Sequence, residues 1–296
     1  MSNKAEVYLV ATAERKEGVR RCFRHLGRLD YRGKKIFVKP NFNTADECPG
    51  STHNDTLEQL LLELLAFSPA ALTVGERSGP AVTAEVFRTK KVDELCDRLG
   101  VNLINFEELT ADEWLTFDRE DLHWPGGLQI PRAVADADAV VATCTLKTHG
   151  FGGVFSMSLK LGVGLVPKDF QKLHGSPHMR KMIAEINLAY RPDFVLMDGI
   201  DVFTDGGPME GKRAKGNVML VSRDRVALDA VGLALLKHLG SNRQIMETPI
   251  FQQEQIARAV ELGLGVTSPA GIELVTDDAD SAALAGQLAQ VLAAEK

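Results

Sequence analysis

One stretch of the sequence decides how the chain folds, and it reads Val140-Val-Ala-Thr-Cys-Thr-Leu-Lys-Thr-His-Gly-Phe-Gly-Gly-Val-Phe-Ser-Met-Ser-Leu-Lys160. Its first part is an apolar, β-branched run, which predicts a buried strand. After the strand, Lys147 and His149 enter a glycine-rich loop, and the stretch ends on Lys160. Ligands of α/β proteins bind where the carboxyl ends of strands open into loops. We therefore expect a ligand site at this point of the chain.

Apolar runs alternate with amphipathic segments along most of the sequence. The runs predict strands over residues 7–11, 35–39, 71–75, 101–106, 139–144, 194–198, 218–222 and 272–275. Apolar residues at a spacing of three to four predict helices over residues 16–26, 57–65, 82–99, 179–189 and 226–239, and an alanine-rich helix from residue 279 onward. Strand–helix alternation predicts an α/β fold with a mostly parallel sheet and helices on both faces. Segment 108–131 shows no clear periodicity.

The 296 residues predict a single domain, or two lobes around a cleft, over residues 1–135 and 136–296. The formal net charge of −6 argues against nucleic acid as a partner, because binding to phosphates needs a basic face. No apolar run reaches the ~20 residues of a membrane span. The N-terminus shows no charged leader followed by an apolar core, so the cytoplasm is the expected compartment.

The four cysteines predict free thiols and no iron–sulfur cluster. Cys22, Cys48, Cys96 and Cys144 lie far apart, whereas cluster ligation needs closely spaced thiolates.

Polar residues follow three of the predicted strands. Lys39 ends one strand, Lys147 and His149 follow another, and Asp198 and Asp201 follow a third. If the three strands are parallel neighbours, their carboxyl ends lie at the same edge of the sheet. These residues would then form one site.

Several of these residues are suited to hold a carboxylate or a phosphate. The candidates for anion binding are Lys39, Asn41, Asn43, Thr52, His53, Gly150, Gly152, Gly153 and Gly207. For Lys39, the alternative is a strand-terminal lysine whose amine reaches water. For Thr52 and His53, the alternative is a role at the start of the helix that follows, with Thr52, Asn54 or Asp55 as the cap.

Lys160, Lys147 and His149 are the candidate catalytic residues. If residues 154–161 form a helix, Lys160 lies over Ser156 and leans back toward the glycine loop. Burial would lower the pKa of its amine and make it a nucleophile or a base. The alternative is an exposed lysine on a helix.

His174 is the candidate metal ligand, together with Asp198 and Asp201. Histidine nitrogens and carboxylate oxygens bind divalent metals such as nickel and zinc. The alternative for these residues is helix capping, or orientation of a histidine by a carboxylate.

Motifs spread over nearly the whole chain resemble domain-of-unknown-function family 362. They are Val38-Lys-Pro-Asn41, Ser51-Thr-His53, Ala135-Asp-Ala-Asp-Ala139, Leu146-Lys-Thr-His149, Ser158-Leu-Lys160, Asp198-Gly-Ile200, Gly207-Pro208, Gly211, Ser222-Arg-Asp224 and Ala227-Leu-Asp229. Many members look like redox-associated proteins with appended ferredoxin-type cysteine clusters, which this chain lacks. The resemblance does not imply a particular reaction.

A second resemblance is to the nickel-pincer lactate racemases. An acidic-alanine run at residues 135–138, then His149, the glycine loop, Lys160 and His174 follow one another in that family's order. The resemblance implies that Lys160 holds the cofactor, that His174 binds nickel and that His149 is an acid–base group. The segment between the glycine loop and Lys160 is less rich in glycine here than in that family.

Three hypotheses of function follow. The first is an enzyme or cofactor protein that binds an anionic small molecule through lysine, histidine and aspartate side chains. The second is a racemase or isomerase of 2-hydroxy acids that resembles the nickel-pincer enzymes. The third is a redox accessory or metallocentre-assembly protein that works through a redox protein partner without turnover of its own.

Overall fold

The computed structural model describes residues 4–295, apart from the side chains of residues 170 and 171. The strands are β1 (Ala5–Ala11), β2 (Lys35–Lys39), β3 (Ala71–Glu76), β4 (Asn102–Asn105), β5 (Trp114–Phe117), β6 (Leu128–Pro131), β7 (Ala139–His149), β8 (Val154–Ser156), β9 (Phe194–Gly206), β10 (Gly211–Lys215), β11 (Val218–Ser222) and β12 (Ile272–Val275). The helices are α1 (Arg15–His25), α2 (Asn54–Leu65), α3 (Thr83–Thr89), α4 (Val92–Leu99), α5 (Arg132–Ala135), α6 (Ser158–Leu161), α7 (Phe170–His174), α8 (Met179–Ile186), α9 (Arg225–Leu239), α10 (Arg243–Glu247), α11 (Glu254–Glu261) and α12 (Ala279–Ala294). None of these helices combines the length and the hydropathy that a bilayer span needs.

One mixed, mostly parallel sheet organises the described chain. Its strand order is β12-β1-β11-β9-β7-β2-β3-β4, with β10 paired to β9 and β8 paired to β7. The strands from β9 to β4 along this order are parallel, and β11 is antiparallel to both of its neighbours. The predicted α/β class is confirmed, and strands from both sides of residue 135 take part in the same sheet.

Helices cover both faces of the sheet because its strands are apolar on both sides. On β2, Ile36 and Val38 pack in the core shared with α1, α2 and α4, whereas Phe37 packs in a second core with Trp124 and Leu128. A third core lies between the sheet and α9, α11 and α12. Such an alternation is what the two-residue period of a strand produces.

The strand expected to end at residue 144 continues to His149. Here Lys147 pairs with Ser156 of β8 on one side and with Phe203 of β9 on the other. Lys147 and His149 therefore belong to a strand. The sequence analysis had placed them in a loop, and this expectation is wrong. The sequence does not show that β7 continues beyond residue 144, because this part of the strand is held by pairing with β8 and β9 and is not marked by an apolar run.

Two other local expectations also differ from the structure, and the segment without clear periodicity contains two strands. Residues 82–99 form two helices, α3 and α4, which are separated at Lys91 by a left-handed backbone with φ of 55°. Residues 154–161 form β8 and then α6 and not one helix, so Lys160 is not stacked over Ser156 within a helical turn. The segment 108–131 contains β5 and β6, which pair in a small antiparallel sheet.

Candidate active site

A cavity of about 380 Å³ lies at the carboxyl ends of β2, β3 and β7. Side chains from these strand ends, including Lys39, Lys147 and His149, line it together with Lys160 of α6. The segment between α6 and α7 and the residues around Trp124 also contribute to the lining. Because β2, β3 and β7 are parallel neighbours, their carboxyl ends meet, as the sequence pattern predicts.

The cavity is strongly cationic, although the chain as a whole carries a formal charge of −6. Six lysine or arginine side chains line it against two carboxylates; they are Lys39, Arg77, Lys147, Lys160, Lys168 and Lys172, against Glu76 and Asp169. His149 and His174 also contribute to the lining. Like charges in a cavity repel one another, so a bound anion is favoured there.

Lys39 and Glu76 form a buried ion pair at the bottom of the site. Lys39 Nζ lies 2.7 Å from Glu76 Oε1, and the exposed fraction of each residue is 1%. The Glu76 carboxylate also accepts hydrogen bonds from the backbone N–H groups of Phe42 and Arg77, both at 2.8 Å. Burial lowers the pKa of Lys39 despite the attraction of Glu76. An ideal Cβ at Gly164 would lie 2.7 Å from Lys39 Nζ, so the pair is packed against backbone.

Lys147 is buried and donates hydrogen bonds to a neighbouring loop. Its Nζ lies 2.8 Å from the carbonyl oxygen of Pro49 and 2.5 Å from that of Gly50. Burial lowers the pKa of Lys147 to about 7. Lys147 thus fixes the Pro49–Gly50 backbone in addition to lining the cavity.

Lys160 differs from the other cavity lysines because its amine has no partner. Among residues 4–295, no hydrogen bond or ion pair forms with Lys160 Nζ, and only 9% of the residue is exposed. Burial, and then the charge of Arg77, lowers the pKa of Lys160 to about 8. Roughly a tenth of such an amine is neutral at pH 7, and this neutral form is a nucleophile or a base.

The position of Lys160 is set by Asp229 of the core helix α9. The Asp229 carboxylate accepts hydrogen bonds from the backbone N–H groups of Ser158 and Leu159, at 2.8 and 3.0 Å, and so caps α6. Burial raises the pKa of Asp229 to about 6, although these hydrogen bonds act in the opposite direction. The helix that carries Lys160 is therefore fixed to the centre of the protein.

His149 adjoins Lys160 across Gly153. An ideal Cβ at Gly153 would lie 2.9 Å from His149 Nδ1 and 3.0 Å from Lys160 Cε, so both side chains pack on this glycine. Burial, together with the charges of Lys160 and Lys147, lowers the pKa of His149 to about 2. Its Nδ1 is buried and has no hydrogen-bond partner in the described part of the chain. The imidazole is thus neutral.

Arg77 and Glu76 were missed by the sequence analysis, although Glu76 ends β3 and Arg77 follows it directly. The Arg77 guanidinium donates to the carbonyl oxygens of Val166, Ser78 and Val163, with Nε 2.9 Å from Val166 O. Burial lowers the pKa of Arg77. The segment Gly75-Glu-Arg-Ser-Gly-Pro80 carries the same signal as the strand ends that were selected, namely charged residues and glycines after an apolar strand.

Some of the residues predicted to bind an anion line the cavity, and the others lie outside the lining. Asn41 and Asn43 line the cavity, whereas the structure places Thr52, His53, Gly150, Gly152, Gly153 and Gly207 outside the lining. Thr52 Oγ1 accepts a hydrogen bond from Asn41 N at 2.9 Å. His53, and not Thr52, Asn54 or Asp55, caps α2 by accepting from Asp55 N. Gly207 packs directly on the Thr148 carbonyl group and accepts a hydrogen bond from Gly150 N at 3.0 Å.

The three residues predicted as metal ligands do not come together. His174 lines the cavity, whereas Asp198 and Asp201 lie outside its lining and bind the Arg15 guanidinium, each at 2.8 Å. Within residues 4–295, no group of three or more His, Cys, Asp or Glu side chains is arranged to hold a metal ion. The two aspartates are therefore engaged in an ion-pair cluster.

Comparison with known proteins places the chain in a family. Residues 36–234 match the model of a family described as domain of unknown function, DUF362. The chain belongs to this family. The family predicted from the sequence motifs is thus confirmed. The matched region contains β2, β3, β7, α6 and α7, the elements that build the cavity.

No curated protein matches the chain. Among solved structures, the lactate racemase apoprotein from Thermoanaerobacterium thermosaccharolyticum is similar to it at 12% sequence identity. The alignment covers 97% of this chain and 86% of that one, with a TM-score of 0.49.

Proposed function

We propose that this protein is an enzyme or a cofactor protein that binds an anionic small molecule, a carboxylate or a phosphate, beside the amine of Lys160. The observation that carries the proposal is the amine of Lys160, a residue only 9% exposed, which lines the cavity without a partner among the described residues. A buried, unpaired charge is costly, so a group of this kind is typical of functional sites.

The charge of the cavity supports an anion as the ligand. Lys39 is compensated by Glu76, and Lys168 by Glu107 at 2.6 Å, whereas Lys160 and Arg77 have no carboxylate partner within the described residues. An anion placed beside them would stabilise both cations. It would also raise the pKa of Lys160 and of His149, since a negative charge favours the protonated forms.

The geometry supports roles for two groups in proton transfer. Lys160, with its pKa of about 8, exchanges a proton readily near neutral pH. His149 enters the site as a neutral imidazole that accepts or donates a hydrogen bond. Gly153 holds the two side chains next to each other, so a ligand atom bonded to one is close to the other.

Calorimetric titration tests the proposal. Phosphate, acetate and pyruvate are titrated at pH 7 into the wild type, into Lys160→Met and into Lys212→Met, whose lysine is exposed on β10 outside the cavity. We expect at least one anion to bind, with a tenfold or larger loss of affinity in Lys160→Met and no change in Lys212→Met. Equal affinities of the two variants would contradict the role of Lys160.

A second candidate is a nickel-pincer-like racemase or isomerase of 2-hydroxy acids. It is favoured by one observation: His149, Lys160 and His174, to which the sequence resemblance gives the three roles, line one cavity. Lys160 would hold the cofactor through its amine, and His174 would bind the nickel. The group would supply the isomerisation chemistry, and His149 would hold or release the proton.

Intact mass under denaturing conditions, together with elemental analysis of protein from its native host, tests this candidate. A mass adduct that maps to Lys160, accompanied by stoichiometric nickel, would support it. An unmodified chain without nickel would exclude it and leave the anion-binding proposal in place.

A further inference from the structure

The lining of the cavity is not uniformly charged. Trp124, Leu128, Val166 and Leu173 all line it, and all four belong to the same hydrophobic cluster. Together they form the apolar region of the cavity lining.

Two contacts show that this region is built and not incidental. The Trp124 indole N–H donates to the carbonyl oxygen of Met182 at 3.1 Å, which fixes the ring. Lys172 Nζ lies 5.7 Å from the centroid of the same ring, a cation–π distance. The ring position is thus set by a hydrogen bond to the backbone and by the amine of Lys172, which also lines the cavity.

The size of the cavity exceeds what a simple anion needs. At about 380 Å³ it lies within the range of ~300–1,000 Å³ that is typical of sites for drug-sized ligands. A bare phosphate or a three-carbon acid would leave the apolar region in contact with water.

Phe151 extends the apolar surface to the entrance of the cavity. It lies in the glycine loop, lines the cavity and is 60% exposed, more than any other large hydrophobic residue of the described chain. Its ring contacts His149 edge to face, with 6.1 Å between the ring centroids. A ligand with an apolar group would cover this ring and gain free energy from its burial.

We propose that the ligand is an amphipathic anion: a carboxylate or phosphate that binds at Lys160 and Arg77, joined to a hydrocarbon chain or aromatic ring that occupies the region formed by Trp124, Leu128, Val166 and Leu173. This inference rests on the proposed function, because it places the charged group of the ligand at the same lysine.

A series of carboxylates of increasing length tests the inference. Acetate, butanoate, hexanoate and 3-phenylpropionate are titrated into the intact protein. Affinity is expected to rise by about fourfold per added methylene until the apolar region is filled. The rise would be seen at constant charge, so it reports on the apolar region alone.

Tryptophan emission locates the apolar group of the ligand. The chain has two tryptophans, and Trp114 does not line the cavity, so Trp114→Phe leaves Trp124 as a single reporter. Hexanoate and 3-phenylpropionate are expected to shift its emission, and saturating acetate is expected to leave it unchanged. An identical emission with all the ligands would overturn the placement beside Trp124.

Phe151→Ser avoids a folding defect because the side chain is exposed. The ratio of hexanoate to acetate affinity is expected to fall at least threefold. Leu62→Ser, which changes an exposed leucine of α2 outside the cavity, is the matched control and should keep the wild-type ratio.

An affinity that is the same for all chain lengths overturns the amphipathic ligand and leaves the proposed function standing. Binding of none of the carboxylates, nor of phosphate, overturns the proposed function and this inference with it.

Discussion

Two polar clusters lie near the same end of the sheet, and they differ in how their charges are balanced. In the Arg15 cluster, formed by Arg15, Asp198, Asp201 and Lys215, two cations face two carboxylates. Asp198 also accepts a hydrogen bond from Thr56 Oγ1 at 2.8 Å. In the cavity on β2, β3 and β7, cations outnumber carboxylates, and the Lys160 amine is unpaired.

The comparison shows that residue type and position at a strand end do not separate a charge-balanced cluster from the cationic cavity that we propose as a ligand site. Asp198 and Lys147 occupy similar places on the adjacent strands β9 and β7. The two clusters differ in charge balance: the Arg15 cluster has equal numbers of cations and carboxylates, whereas the cavity has more cations than carboxylates. Changes in the first should therefore affect stability, and changes in the second should affect binding.

The largest effect is expected from Arg15→Met. This change leaves Asp198, which is 1% exposed, without its cation, and loss of one partner of a buried pair costs ~3–5 kcal/mol of the free energy of unfolding. Urea unfolding measures the loss, and titration below the unfolding transition should show an unchanged affinity for anions. Arg20→Met, on the exposed side of α1, is the control. A stable variant that no longer binds anions would reverse the assignment of the two clusters.

Lys160→Met, unlike Arg15→Met, should raise the free energy of unfolding. Burial lowers the pKa of Lys160 from 10.5 to about 8, so the charged amine destabilises the folded state, and its removal should raise the free energy of unfolding at pH 7 by ~2–3 kcal/mol.

The pH dependence of this gain gives a second check. Between pH 8 and 10.5 the unfolded wild type keeps a proton that the folded wild type has released, so wild-type stability rises with pH. The advantage of Lys160→Met should therefore be complete below pH 8 and lost by about pH 10.5. Unfolding curves recorded at several pH values measure it. An advantage that does not depend on pH would mean that lost charge is not its cause.

Gly153→Ala should cost less stability but impair binding. The added methyl group would meet His149 Nδ1 and Lys160 Cε at about 3 Å, and overpacking of this kind costs ~1–2 kcal/mol. We expect anion affinity to fall tenfold or more, because both side chains must move. Gly286→Ala, in α12 and with open space around the added group, is the matched control. It should stabilise the protein by ~0.4–1 kcal/mol and leave affinity unchanged. Wild-type affinity in Gly153→Ala would show that the two side chains adjust without loss.

The smallest effect is expected from Lys215→Met. The lysine is 69% exposed, and Asp201 keeps Arg15 as its partner, so stability should change by no more than ~0.5 kcal/mol. Urea unfolding of this variant beside Arg15→Met compares two ion pairs of the same cluster that differ in burial. A loss of stability as large as that of Arg15→Met would mean that the contribution of these ion pairs to stability does not depend on their exposure.

The sequence predicted the parallel strands and the convergence of Lys39, Lys147 and His149, since apolar runs mark the strands and parallel strands end at one edge. The same argument placed Asp198 and Asp201 in this site, and the structure does not. The partners that decide the role of each group lie far away in the chain and were not predictable. Arg15 lies 183 residues before Asp198, and Lys147 lies 98 residues after Pro49. Arg77 is a different case, because it was predictable: charged residues and glycines follow an apolar strand at this point of the sequence, as they do at the strand ends that were selected.

The hydrogen bonds from α6 to Asp229 separate the position of the Lys160 amine from the shape of the apolar lining. In many binding sites these two properties are coupled. Lys160 stands on a helix fixed to the buried core, whereas Phe151 and Trp124 lie on connecting segments. If the proposed function is correct, substitutions in these segments alter which ligand is accepted while the Lys160 amine stays in place. The architecture therefore allows specificity to diverge among relatives, or to be redesigned by directed evolution, at little cost to the scaffold.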